Sequence, residues 1–121
     1  MPEPTIIAVL FVAIWVIVRG RSRITLRAIE LDPESARAYN NRGNVRRELG
    51  DNEGAIADYT RAIELDPNLA SAYANRGLAR HALGDSEGAI EDLQMAASLF
   101  QAQGRMEDYQ AVLELLSRLQ Q

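Results

Sequence analysis

The side chains able to do covalent or metal chemistry are few in this chain and poorly placed for it. His81 is the single histidine and cysteine is absent, so no zinc site can be assembled from His and Cys and no thiolate is available. The eight glycines form neither a Walker-type run nor G-x-G-x-x-G, the patterns that cradle phosphate. Asp51-Asn52-Glu53-Gly54 has the opening of a calcium loop, but alanine stands where the loop needs its twelfth-position glutamate. The sequence therefore predicts no catalytic, cofactor or metal site and no enzyme. It reads as a chain that displays surfaces.

Those surfaces are set by a repeat. Arg27-Ala28-Ile29-Glu30-Leu31-Asp32-Pro33 recurs unchanged as Arg61-Ala62-Ile63-Glu64-Leu65-Asp66-Pro67, 34 positions later. Residues 36–69 laid over 70–103 share 17 of 34 positions. A fixed period of this length marks a stacked helical array. Each unit predicts two helices, A over 36–49 and B over 52–65, then A over 70–83 and B over 86–101. Gly50 and Gly84 sit where a left-handed residue closes helix A, and Asp51 and Asp85 where a short acceptor caps helix B. Pro33 and Pro67 end B helices. Gly43 and Gly77 lie mid-helix, where glycine costs up to about 1 kcal/mol relative to alanine, so another helix should approach there. Ala55, Ala62, Ala89 and Ala96 form the facing smooth stripe, with Tyr39, Tyr59 and Tyr73 in the larger gaps and Leu49, Leu65, Leu83 and Leu99 at helix ends.

Gly43, Ala55, Tyr59, Ala62 and Pro67, with Gly77, Ala89, Leu93 and Ala96, resemble the small, aromatic and proline positions of the tetratricopeptide repeat family. Tyr-x-Asn-Arg-Gly at 39–43 and 73–77, and Gly-Asp-x-Glu-Gly-Ala-Ile at 50–56 and 84–90, are similar to bacterial members. The resemblance implies an all-α array of helical hairpins: a half-repeat at 24–35, full repeats at 36–69 and 70–103, and a C-terminal capping helix at 105–121. That last helix carries a one-sided apolar stripe of Met106, Tyr109, Val112, Leu113, Leu116 and Leu119. Gln101 replaces the closing proline of the second unit, so its B helix should run long.

In this family the A helices line a concave groove. The resemblance thus implies a peptide-binding face of Arg37, Asn40, Asn41, Asn44, Arg47, Asn75, Leu78 and His81, with Ser71 beside them. Asparagine offers two donors and an acceptor to an extended backbone, and arginine takes a carboxylate with two parallel bonds. Asn44, Asn75 and Arg105 stand at three places of the two-carboxylate clamp of chaperone-binding members; Asn40 and Tyr109 replace its first Lys and last Arg.

Charge narrows the partners. All 13 basic residues are arginines against 17 acidic ones, and the repeat region alone carries about six net negative charges. That balance repels a polyphosphate backbone and excludes non-specific nucleic-acid binding. Residues 5–18 are different, 14 uncharged residues followed at once by Arg19, Arg21 and Arg23. As a helix they span about 21 Å against a hydrocarbon core of about 30 Å. Their all-round apolarity and the arginines behind them favour a single N-terminal membrane anchor with the repeats facing the cytoplasm. The alternatives are a buried or groove-occupying helix in an isolated or truncated repeat fragment, with a cytoplasmic location, a wrongly chosen start, or a signal peptide, for which Met1-Pro2-Glu3-Pro4 offers no basic start. The expected function is a membrane-tethered, non-enzymatic adaptor that binds a peptide segment of another protein. Self-association as a structural repeat protein, and a fragment of a longer array, are the competing readings.

Overall fold

The computed structural model describes residues 4–121, in which six helices follow one another through short turns: α1 (Pro4–Leu31), α2 (Ala36–Glu48), α3 (Asn52–Leu65), α4 (Ala70–Ala82), α5 (Ser86–Ala102) and α6 (Met106–Leu119). Helices α2 and α3 pack as one pair and α4 and α5 as another; α3 packs on α4, α1 on α2 and α6 on α5, and α2 also touches α4.

Each pair is closed by one backbone device. Gly50 and Gly84 take φ of 84° and 86°, a region that residues with a Cβ avoid. The Gly50 N–H then reaches the Arg47 carbonyl at 3.0 Å and the Asp51 N–H the Arg46 carbonyl at 2.8 Å, satisfying groups that a helix end leaves bare. Asp51 and Asp85 turn back to accept the N–H of Gly54 and Gly88, each at 2.9 Å. Where α3 stops at Asp66-Pro67, α5 has no proline; it runs 17 residues against the 14 of α3 before Gly104 closes it with φ 73°.

Burial follows the small residues. Ala55, Tyr59, Ala62, Ala89, Leu93 and Ala96 have 0% exposure. Leu93, Ala96, Ala97 and Phe100 of α5 join Ala70 of α4 and Val112 and Leu116 of α6 in the larger cluster. Ala55 and Tyr59 of α3 meet Ala79 of α4 in the smaller one. Leu49 and Leu83, expected to pack, instead stand 61% and 49% exposed, because as the last residues before each glycine they point off the turn.

The N-terminal expectations change most. Residues 5–18 and the half-repeat are not separate elements: one helix runs through Gly20 from Pro4 to Leu31. Its second half packs on α2 through buried Thr25, and the Arg21 guanidinium grips both carboxylate oxygens of Glu48 at 2.9 and 2.7 Å. The expected membrane anchor, and with it a membrane localisation with cytoplasm-facing repeats, is overturned. Among the described residues no helix is long and apolar enough to cross a membrane. The uncharged run stops at 14 residues, and α1 continues through Arg19, Arg21, Arg23 and Arg27, charges that are expensive in hydrocarbon. Nor is the run buried, since Val9, Leu10, Val12 and Ile14 to Ile17 are all exposed. Met1 to Glu3, on which the signal-peptide alternative turned, lie outside the described residues.

Gly43 carries the closest approach between helices. A Cβ there would meet the Tyr59 ring at 2.6 Å, so Gly43→Ala should lose about 1–3 kcal/mol of stability to overpacking, more than the helix-propensity gain of about 1 kcal/mol. Gly20→Ala, with nothing within 4 Å, should gain instead. Urea midpoints of the two variants, moving in opposite directions from the parent, are the check.

Candidate functional site

Steps of three and four along α2 place Arg37, Asn40, Asn44 and Arg47 on one side of the helix. Asn41 lies toward α1, lining with Val45, Arg21, Ile24 and Thr25 a cleft of about 310 Å³. Of the residues expected on the groove, Arg37, Asn41 and His81 are exposed, and Asn44, Arg47, Asn75 and Leu78 are half-buried. Asn40 is the exception, buried in the seam between α2 and α4. Its amide donates to the Ser71 hydroxyl and its carbonyl oxygen accepts from the Asn75 amide, both at 3.2 Å. Asn40 and Asn75 are thus joined to each other, and Asn75 keeps its carbonyl oxygen and one N–H for other use. Asn44 is also committed on one side, since its carbonyl oxygen accepts the Tyr59 hydroxyl at 2.7 Å. Its amide N–H groups are left for a ligand.

Arg47 completes this corner. One of its terminal guanidinium nitrogens is enclosed by protein atoms without a hydrogen-bond acceptor. Its positive charge favours the ionised form of the Tyr59 hydroxyl, but burial outweighs that and pushes the phenol up to about 12. Further along, the Arg105 guanidinium pairs with Asp108 at 2.7 Å and lies 5.0 Å from the Phe100 ring centre. Tyr109 is half-buried against α5.

Two residues that matter to this face are not singled out by the sequence reading. Asp58 and Asp92 are buried at the same place in the two helical pairs. Arg42 grips Asp58 with two bonds of 3.0 and 2.8 Å, and Arg46 adds a contact at 3.2 Å. Arg76 grips Asp92 at 2.9 and 2.7 Å, and Arg80 adds 2.8 Å. These carboxylate bonds raise Arg42 and Arg76 above the ordinary guanidinium range, against the opposing effect of burial. The signal was available: Arg42, Arg46 and Asp58 recur 34 positions on as Arg76, Arg80 and Asp92. These four arginines serve the interior, whereas Arg37 and Arg47 do not.

The described residues hold no cluster of histidine and acidic side chains that could bind a metal ion. What the face offers is amide and guanidinium donors set on rigid helices in a repeating helical-pair array, a scaffold for protein recognition. Family models bear on the whole of that array. A TPR repeat model matches residues 43–84, and tetratricopeptide repeat models match 24–57 and 70–103. The chain belongs to the tetratricopeptide repeat family. Solved structures agree. The TPR2B domain of yeast Sti1, in a complex named for pHsp70, is 27% identical, with TM-score 0.80 over 85% of this chain and 82% of that one. The second TPR domain of human RPAP3, with the HSP70 peptide SGPTIEEVD, is 27% identical, with TM-score 0.71 over 83% and 78%. The second TPR of Spaghetti (RPAP3), bound to the HSP90 peptide SRMEEVD, is 30% identical, with TM-score 0.65 over 68% and 76%. No curated protein matches the chain significantly.

The buried phenol gives the site a pH signature. Tyr59 stays neutral in the folded chain up to about 12, whereas the unfolded phenol ionises near 10.0. The unfolded state therefore binds fewer protons above pH 10, so stability is complete below that value and declines from there toward pH 12. Denaturant midpoints measured across pH 9 to 12 should show the decline, and Tyr59→Phe should flatten it. Parallel curves for the two proteins would place its origin elsewhere.

Proposed function

We propose that the α2–α4 face binds an extended, acidic segment of another protein, so that the chain works as an adaptor or scaffold. The amide N–H groups of Asn44, left over once its carbonyl oxygen has taken the Tyr59 hydroxyl, carry this reading. They lie on the side of α2 that also bears Arg37 and Arg47, and a ligand carboxylate or backbone carbonyl would accept from them. Asn75 offers a carbonyl oxygen on α4, and Arg37 and His81 lie exposed at the edges. Similar domains of Sti1 and RPAP3 were solved with chaperone peptides, which supports a peptide as the class of ligand.

The chaperone-tail form of this binding is incomplete here. Asn44, Asn75 and Arg105 supply three clamp positions, but Asn40 and Tyr109 carry no charge and Asn40 is spent on Ser71 and Asn75. An acidic tail should therefore bind weakly, and a partner that also uses the asparagine amides should bind better. A second reading, self-association, draws on the exposed apolar residues Val9, Leu10, Val12 and Ile14 to Ile17 of α1.

The groove is tested by fluorescence anisotropy with labelled SRMEEVD and by capture of partners from lysate, using the full chain and two variants. Asn44→Ala/Asn75→Ala and Arg47→Ala should each weaken peptide binding by about tenfold, the cost of losing one or two charge-assisted or neutral bonds. Circular dichroism should be unchanged. Equal peptide affinity and the same captured proteins from all three chains would remove the α2–α4 face as the site.

A further inference from the structure

The period of 34 carries α2 (Ala36–Glu48) back onto residues 2–14 and α3 (Asn52–Leu65) back onto residues 18–31. The helix that the repeat assigns to cover α1 therefore lies within the chain, yet it is not folded against α1. The reason is local. Helices α2 and α4 are closed by Gly50-Asp51 and Gly84-Asp85, the glycines at φ of 84° and 86°. The period puts Val16-Ile17 at that turn, two β-branched residues for which a positive φ is strained. Helix α1 accordingly runs through them without a break.

The two halves of α1 are still matched to each other. Arg42, Arg46 and Asp58, the buried cluster between α2 and α3, become Ala8, Val12 and Ile24, so both arginines and the carboxylate are lost together. Gly43 against Tyr59 becomes Val9 against Thr25, a larger residue against a smaller one. Asn44, which takes the Tyr59 hydroxyl, becomes Leu10. One of these changes without the rest would bury a lone charge or overfill the contact. Together they make an apolar helical pair. Along one straight helix, however, Val9 and Thr25 are about 24 Å apart at roughly 1.5 Å per residue, and they cannot meet.

We infer that α1 pairs with α1 of a second copy, antiparallel about a two-fold axis near Val16-Ile17. Residues 4–14 of each copy then take the place on the other that α2 takes on α3. This rests on the self-association reading given above and specifies its geometry. An exchange of identical elements across a two-fold axis follows naturally when the turn between them is lost. The seat is present: α1 and α2 leave a cleft of about 310 Å³ lined by Arg21, Ile24, Thr25, Asn41 and Val45. Thr25 and Val45 hold the positions of Tyr59 and Ala79, the floor of the smaller internal cluster. Two helices of 28 residues paired along their length bury on the order of the 1,200–2,000 Å² of a stable interface. Antiparallel pairing also lays Arg19, Arg21, Arg23 and Arg27 of each copy along the uncharged residues 6–14 of the other. Parallel pairing would oppose each arginine to its own copy. Arg21 keeps its bonds to Glu48, and the pairing calls for no new ion pair.

The chain has no cysteine, so introduced thiols report the pairing directly. A Cβ on Gly77 would lie 3.3 Å from that of Asp92; the equivalents are Val9 and Ile24, both exposed, by 66% and 71%, and so placed within disulfide reach. Full-length Val9→Cys/Ile24→Cys, oxidised with diamide, should run as a covalent dimer on a non-reducing gel. An equimolar mixture of Val9→Cys chains and Ile24→Cys chains should do the same, and neither alone. In sedimentation equilibrium the parent should have the mass of two chains. Val16→Gly/Ile17→Asp, which restores the turn, should halve it. A covalent monomer from the double-cysteine chain overturns the proposal, since residues 4–14 then fold back within their own chain. Val9→Cys cross-linking by itself as readily as the mixture also overturns it, while leaving self-association standing. A mass that stays monomeric at every concentration removes both.

Discussion

Each helical pair is organised around one buried carboxylate. Asp58 and Asp92 have almost no contact with solvent, and an ionised carboxylate in such a place is tolerable only when paired and fully bonded. Two arginines from the preceding helix meet each of them, one through a two-bond fork. The fork has a fixed geometry, so it sets the rotation and register of α2 against α3, and of α4 against α5, within narrow limits. Hydrophobic contact alone would not, since Ala55, Ala62, Ala89 and Ala96 form a smooth stripe along which a facing helix could slide. The gap between the helices is then closed by Tyr59 over Gly43 in the first pair and by Leu93 beside Gly77 in the second.

That arrangement decides what the outer face can be. Arg42, Arg46, Arg76 and Arg80 are consumed inside, and the Tyr59 hydroxyl emerges at the edge of the core only to be taken by Asn44. The side of α2 and α4 away from these contacts is left with amides, the arginines Arg37 and Arg47, and the imidazole of His81. Asn40 and Asn75 stitch the two helices together before any ligand arrives, so the face is held in place by its own hydrogen bonds. A preorganised face binds with less ordering cost than a loop would. On the proposed reading, two helices of only 13 residues each then suffice as a platform.

Much of this was legible in the residues. Gly50, Gly84, Asp51 and Asp85 announce helix ends through local backbone chemistry, and the structure places turns and caps there. The alanine stripe and the glycine contact follow from size alone. What could not be read was anything that depends on which side chains meet across helices. The repetition of Arg42 and Asp58 shows only that both recur, and their pairing requires the turn angle between the helices. Asn40 looked like a free groove donor because its burial arises from α4, 31 residues away at Ser71. The N-terminal error was of another kind. A count of apolar residues says how strongly a segment avoids water but not where its helix stops, and α1 continues without a break into four arginines.

The polar pattern changes along the array. Inside, helices of the α2 kind bring arginine and helices of the α3 kind bring aspartate, so each buried carboxylate is answered within its own pair. At the position of Arg42 and Arg76, α6 has Gln110, and at that of Arg46 and Arg80 it has Glu114; both are exposed, as polar groups without a buried partner must be. At the position of Asp58 and Asp92, α1 has Ile24, on which no arginine fork can form. The fork that fixes register is therefore confined to the two internal pairs, and α1 and α6 are held by other means. The Arg21 guanidinium ties α1 to Glu48, and Val112 and Leu116 of α6 pack with Leu93 and Phe100 of α5.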